Sequence, residues 1–264
     1  MSEDRVRVEM ADHVAVVTLA RPEKHNALDP AMFEAIGETC ERLRDAPGVR
    51  AVVLHGEGPS FCSGLDLGSM MALGDGLEGV LEHLREDPPN WFQRVAHGWV
   101  TLPMPVIAAL HGACFGGGLQ IALGADLRIA APNTRLSVME MKWGIIPDMS
   151  ITRTLPRLVR IDVAKELTYT GRVLSASEAL ELGLLTWVAG DPLASARALA
   201  AEIAARSPEA IRAAKRLYEQ SWTGPAAETL ALEASLQSQL LGSPNQLAAV
   251  AAEFSGEPAK FADP

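Results

Sequence analysis

This sequence predicts an α/β fold, and three observations carry that expectation. Short apolar runs of strand length alternate with stretches of helical periodicity from residue 5 to about residue 190. Glycine-rich turns join them, and Gly112-Ala113-Cys114-Phe115-Gly116-Gly117-Gly118-Leu119-Gln120 is the most pronounced. With 264 residues, 48% hydrophobic and 21% charged, the chain can close a sizeable core without disulfides or metals.

In chain order, Arg5–Met10 and Val14–Leu19 read as two strands turning at Ala11-Asp12-His13. Asp29-Pro30 opens a helix, with Asp as N-cap and Pro at the first helical position, and Phe33, Ile36, Cys40 and Leu43 follow at helical spacing. Ala51–Leu54 is a buried strand running into the turn-rich Gly56-Glu57-Gly58-Pro59-Ser60. The polar stretch Ala72–Asn90 reads as an excursion, helical around Leu77–Leu84. Val106–Leu110 is a strand that enters the glycine turn; a helix from Leu119 to Ala125 and a strand at Leu127–Ala130 follow. From Ile161 onward helices dominate. Ser207-Pro208 caps one that carries Ile211, Ala214 and Leu217, and Leu232, Leu236 and Leu240 form a further apolar stripe for core or oligomer contacts. The expected division is a core over residues 1–190 and a helical subdomain over 191–264 that oligomerises and covers the site.

A net charge of −10 argues against non-specific nucleic-acid binding. Cys40, Cys62 and Cys114 are odd in number with no CxxC pair, which fits buried thiols in a reducing compartment. Met1-Ser2-Glu3-Asp4-Arg5 lacks an apolar signal core. Leu102–Ala125 has no charged residue, but Pro103, Pro105, His111, the glycines and Gln120 favour a buried strand–turn–helix over a membrane span. The expectation is a soluble, cytoplasmic protein without nucleic-acid or membrane partners. The scattered His residues predict no metal site, and the glycine turn has neither the GK[ST] nor the GxGxxG pattern of nucleotide loops. Cys62 and Ser63 have no partner His by motif and read as a buried thiol and a turn serine.

Phe61-Cys62-Ser63-Gly64-Leu65-Asp66-Leu67 is a second turn that follows a strand, as the glycine turn does. One backbone N–H from each can converge on a single oxygen. Such an oxyanion hole loses about 3–4 kcal/mol of transition-state stabilisation when one donor is removed.

These residues resemble a family. FCSGLDL at 61–67, with PVIAALHGACFGGGLQIALGADLRIA at 105–130, is similar to the crotonase superfamily of enoyl-CoA hydratases and isomerases. Arg21-Pro22 with Asn26-Ala27-Leu28, Met139-Glu140 with Gly144-Ile145-Ile146-Pro147, Thr170-Gly171, and ASEALELG at 176–183 resemble its other signatures in order. The resemblance implies a spiral of ββα repeats assembled as trimers or dimers of trimers. It also implies acyl-CoA substrates of fatty-acid metabolism, with no cofactor beyond the coenzyme A of the thioester. By matching positions, the oxyanion donors are the N–H groups of Leu65 and Gly117, the latter at a helix N-terminus whose partial positive charge favours an enolate. Coenzyme A is expected near Lys24, His25, Ala27, Ser63, Leu65, Asp66, Leu67 and Gly117. The family's basic C-terminal stretch is matched here by Phe254–Phe261, which keeps two Phe but few cations. Trp91, Phe92, Trp99 and Trp143 are expected in core packing, with an acyl-pocket lining as the other reading.

Hydratases of the family use two glutamates. Glu140 matches one and Gln120 stands at the other, and an amide cannot accept and return a proton at neutral pH. Asp148, eight residues after Glu140, offers a replacement; Glu and Asp at these two positions resemble the dienoyl-CoA isomerases, which carry a further Asp where Gln120 stands. The expected reaction therefore converts a 3,5-dienoyl-CoA to its 2,4-isomer. Glu140 removes the C2 proton, and Asp148, kept in acid form by burial, reprotonates C6. The alternatives are a hydratase (a lyase) with Glu140 as its one carboxylate and Gln120 positioning the water, a 3,2-isomerase, and an acyl-CoA-binding protein without catalysis.

Overall fold

The computed structural model describes residues 5–71 and 76–263, for Met71 the backbone alone. The charged Met1–Asp4 and the first four residues of the Ala72–Asn90 excursion thus lie outside the described residues. The chain begins with the hairpin of β1 (Val6–Ala11) and β2 (Val14–Leu19), turned by Asp12 and His13 in the left-handed region at φ 50° and 65°. These are the mirror-image turn angles that suit strand twist. Helix α1 (Pro30–Arg44) follows, capped by the Asp29 carboxylate accepting from Met32 N at 2.8 Å.

A repeated path then appears. Strand β3 (Ala51–Gly56) leads through a single bridge at Cys62 to α2 (Leu67–Met71). After α3 (Leu77–Leu84) and α4 (Trp91–Thr101), β4 (Val106–Leu110) leads through β5 (Ala113–Phe115) to α5 (Gly117–Leu123). Strand β6 (Leu127–Ala130) leads to β7 (Arg135–Ser137), a 3₁₀ turn at Glu140–Trp143 and α6 (Ile151–Thr154). Helix α7 (Ile161–Thr170), β8 (Leu174–Ser175), α8 (Ala176–Glu181) and β9 (Trp187–Val188) close the core.

The strands form a six-stranded sheet ordered β1-β2-β3-β4-β6-β9 and a three-stranded one ordered β5-β7-β8. Pairing in the large sheet is parallel from β2 onward. Each pass gives one strand or bridge to each sheet and then a helix, which is the ββα spiral. Helix α5 starts two residues earlier than Leu119 and ends at Leu123, because Gly116 serves as its N-cap at φ 52°.

Over β2, β3 and β4 both faces of the large sheet are covered, so these strands read as near-continuous apolar runs, whereas the edge strand β1 is largely exposed. Ala15, Val17, Val52, Leu54, Ala108 and Leu110 face the main core. The alternate residues Val16, Ala51, Val53, Ile107, Ala109 and Ile129 pack against Ala196, Ala200 and Ala204 of α9 (Pro192–Ala204). Three further helices follow, α10 (Pro208–Ser221), α11 (Ala226–Leu240) and α12 (Pro244–Ser255). The apolar positions read on α10 are not its buried face: Ala214 is exposed, whereas Lys215 is 8% exposed. Its ammonium donates to Asp126 Oδ2 at 2.8 Å and to the carbonyls of Trp99 and Met104. On α11, Leu236 is the buried member of the stripe. No helix among the described residues is long and apolar enough to cross a membrane.

Candidate functional site

The two turns read from the sequence meet. Cys62 N donates to Ala113 O and Phe115 N to Cys62 O, both at 3.0 Å. On the other side of the first turn, Leu28 N donates to Gly64 O at 2.8 Å and Asp66 N to Leu28 O at 2.9 Å. Leu28 thus bonds to the neighbours of Leu65, and the Leu65 N–H is directed the other way. Gly64 holds φ 93°; a Cβ there would stand 2.8 Å from Phe115 O and 3.7 Å from Gly117 N, which shows how closely the turns approach. Gly117 is the first residue of α5, so its N–H has no intrahelical acceptor. Among the described residues neither the Leu65 nor the Gly117 N–H donates to any group. A Cβ at Gly118 would meet Cys62 O at 2.5 Å, so glycine is what lets α5 sit against the first turn.

Arg21 and Asn26 hold this arrangement from behind. Arg21 Nη1 lies 2.9 Å from Asp66 Oδ2 and 3.0 Å from Ala27 O, and its Nε lies 3.5 Å from Asp29 Oδ2. The Asn26 amide, fully buried, donates to the carbonyls of Glu57, Ser60 and Phe61. These signature residues are scaffolding for the turn, a role the sequence reading did not assign.

Ser63, Leu65, Leu67, Gly117, Gln120, Glu140 and Asp148 all line one cavity of about 610 Å³. Lys24, His25, Ala27 and Asp66 do not line it. Their segment lies alongside, through Ser63 N to His25 O at 3.0 Å, with Lys24 and His25 exposed. The Asp66 carboxylate is engaged by Arg21 and by Ser69 N at 3.1 Å. Of the four aromatics, Trp91, Phe92 and Trp99 are core residues, Phe92 also lines the cavity, and Trp143 lines it while exposed.

The two carboxyls of the cavity belong to a segment beside the second turn, where a Cβ at Gly116 would stand 3.3 Å from Glu140 Oε1. Glu140 begins the 3₁₀ turn, which ends at Gly144 with φ 72° and returns the chain to Asp148 and Met149. Gln120 ties both ends together. Its Nε2 donates to Glu140 Oε1 at 2.6 Å, and its Oε1 accepts from Met149 N at 2.9 Å. Glu140 is 7% exposed, and among the described residues its Oε2 has no hydrogen-bond partner. Burial pushes the Glu140 carboxyl above the usual range and the charge of Asp148 adds to this, while its own backbone N–H and the Gln120 amide pull it back. Burial also raises Asp148, against its own backbone N–H alone. The Cys62 thiol, by contrast, is pushed up by burial to about 12 and stays protonated. Gln93 and Asn90 also line the cavity and were missed from sequence, because an Asn and a Gln three residues apart at a helix start read as a cap. This wall and the two free N–H groups together can hold an oxygen and move protons beside it.

A family model described as enoyl-CoA hydratase/isomerase matches residues 9–249. The (E)-benzylidenesuccinyl-CoA hydratase of Thauera aromatica is 37% identical over 215 residues, 80% of each chain. The mitochondrial Delta(3,5)-Delta(2,4)-dienoyl-CoA isomerase of Rattus norvegicus is 35% identical over 212 residues, 77% of this chain and 64% of that one. A crystal structure of an enoyl-CoA hydratase from Bacillus anthracis superposes with a TM-score of 0.90 at 31% identity, covering 97% of this chain and 98% of that one.

Proposed function

The chain belongs to the enoyl-CoA hydratase/isomerase family, and from that premise we propose that it isomerises 3,5-dienoyl-CoA thioesters to 2,4-dienoyl-CoA. The observation that carries this reading is a pair of carboxyls, buried Glu140 and half-buried Asp148, on the cavity that the Leu65 and Gly117 turns also line. The Leu65 and Gly117 N–H groups hold the thioester oxygen. Glu140 Oε2 removes a proton from C2, and the electron pair of that C–H bond enters C1=C2 as charge moves onto the oxygen. When the oxygen regains its carbonyl, C2=C3 and C4=C5 form and the electrons of C5=C6 take a proton at C6 from Asp148. Protons then return from Glu140 to Asp148 through the open cavity. The division of roles follows from hydrogen bonding. In this reading the Gln120 N–H on Glu140 Oε1 stabilises a carboxylate there, and the pair holds one proton, carried by Asp148, because the charge of one carboxylate disfavours the other. Coenzyme A would lie along Lys24–Ala27 and Ser63–Leu67, where Lys24 and His25 are exposed. The helices after residue 191 would serve in oligomer contacts, with a trimer as the assembly.

The test is product analysis on 2-enoyl-, 3-enoyl- and 3,5-dienoyl-CoA with the wild type, Glu140→Gln and Asp148→Asn. The expected result is 2,4-dienoyl-CoA from the wild type alone; full isomerase activity in either variant would sink the assignment. A hydratase that uses Glu140 alone is a second reading. The unpartnered Oε2 of Glu140 can hold a water, and the Thauera aromatica relative is named a hydratase. Crotonyl-CoA hydration at a rate matching dienoyl-CoA turnover, retained in Asp148→Asn, would favour it.

A further inference from the structure

We infer that Asn90 and Gln93 form a two-amide donor subsite in the acyl cavity, and that the preferred acyl group carries a neutral oxygen acceptor, a carbonyl or hydroxyl, distal to the thioester. This rests on the reading of the cavity as an acyl-CoA site. The two side chains are each tied to the other residue's backbone by reciprocal bonds at the start of α4. Gln93 N donates to Asn90 Oδ1 and Asn90 N donates to Gln93 Oε1, each at 3.0 Å. A backbone N–H can be accepted by the amide oxygen alone, so both oxygens are identified and both NH₂ groups are turned away from the helix start. Neither NH₂ donates to any group among the described residues. Asn90 is 7% exposed, and both residues line the cavity.

A helix start needs only the two oxygens that form this capping box, and Ser with Glu supplies them as well. Helix capping therefore does not account for two amide donors on a cavity whose lining also includes Leu67, Val80, Leu84, Phe92 and Met149. A plain hydrocarbon chain filling that space would strip water from both NH₂ groups and give nothing back. An oxygen with two lone pairs satisfies them. The only charged side chains on the cavity among the described residues are Glu140 and Asp148, so a carboxylate on the acyl chain would meet repulsion and no cation. Hence the acceptor is neutral. Gln93 also borders a neighbouring hollow together with Ile146 and Asp148, which puts the pair at the Asp148 end of the cavity and away from the thioester oxygen.

The test measures binding of unreactive saturated thioesters by calorimetry: octanoyl-CoA against 5-oxo- and 7-oxooctanoyl-CoA. The wild type is expected to bind the better oxo compound about tenfold more tightly than octanoyl-CoA. Asn90→Ser keeps an N-cap oxygen and Gln93→Glu keeps the capping acceptor, so each removes a donor while preserving the helix start. Thermal melts check that preservation. The preference should fall toward unity in Asn90→Ser and below unity in Gln93→Glu, where a carboxylate repels the acceptor. Equal affinity of wild type for the oxo and plain chains, or an unchanged preference in both variants, overturns the inference and leaves the acyl-CoA reading standing. Failure of every thioester to bind overturns both.

Discussion

The two walls of the candidate site are held by different means. On one, the Leu65 and Gly117 N–H groups are fixed by main-chain bonds across Leu28 and Cys62 and by close packing, with no room for a Cβ at Gly118. On the other, Glu140 is oriented by one side chain, Gln120, which also fastens the Asp148–Met149 segment. Backbone donors cannot titrate, so the first wall should be indifferent to pH and intolerant of volume. Carboxyls shifted by burial should be the reverse. In the proposed mechanism, holding the oxygen and moving the protons are thereby separable, and four measurements probe how far.

The largest expected effect is Glu140→Gln, which should lower kcat about 10³-fold while leaving thioester affinity within a factor of a few. A parallel loss of affinity would show that the two walls are coupled. Next is Gly118→Ala. A Cβ placed 2.5 Å from Cys62 O must push the turns apart, with a loss of roughly 10²-fold in kcat and a lower Tm in thermal melts. Unchanged activity would mean that the backbone wall is not rigid.

Gln120→Leu should cost roughly tenfold at neutral pH and change the profile as well. With Glu140 as base and Asp148 as acid, the rate rises with pH as Glu140 ionises, above the ordinary carboxylate range, and falls as Asp148 ionises. Removing the Gln120 N–H removes support for the Glu140 carboxylate, so the acid limb of kcat should move to higher pH. A limb that stays in place would reduce Gln120 to a structural residue. The smallest effect is on stability. The folded-state pKa of Asp148 is raised, so its contribution is intact below the unfolded pKa and is lost as pH rises through the folded one. At neutral pH Asp148→Asn should therefore raise Tm, by about 2–4 °C, and lose that advantage in mild acid.

The turns were readable before the fold because glycine clusters after apolar runs have few other uses, and because their order along the chain matches one family. The α1 cap was readable for a local reason, since an Asp-Pro pair acts within one turn of helix. Other features were hidden. Lys215 sits inside where an apolar stripe was expected because Asp126, 89 residues away, and two carbonyls pair its ammonium. Arg21 and Asn26 read as neighbours of a binding segment, yet their partners are carboxylates and carbonyls that only folding gathers.

The sequence alone determined the α/β class, the two donor turns and the candidate carboxyls, since periodicity, glycine placement and residue chemistry act over a few residues. Tertiary structure alone decided which groups Gln120 joins. An amide's role depends on which of its two ends meets a partner, and for Gln120 those partners stand 20 and 29 residues along the chain.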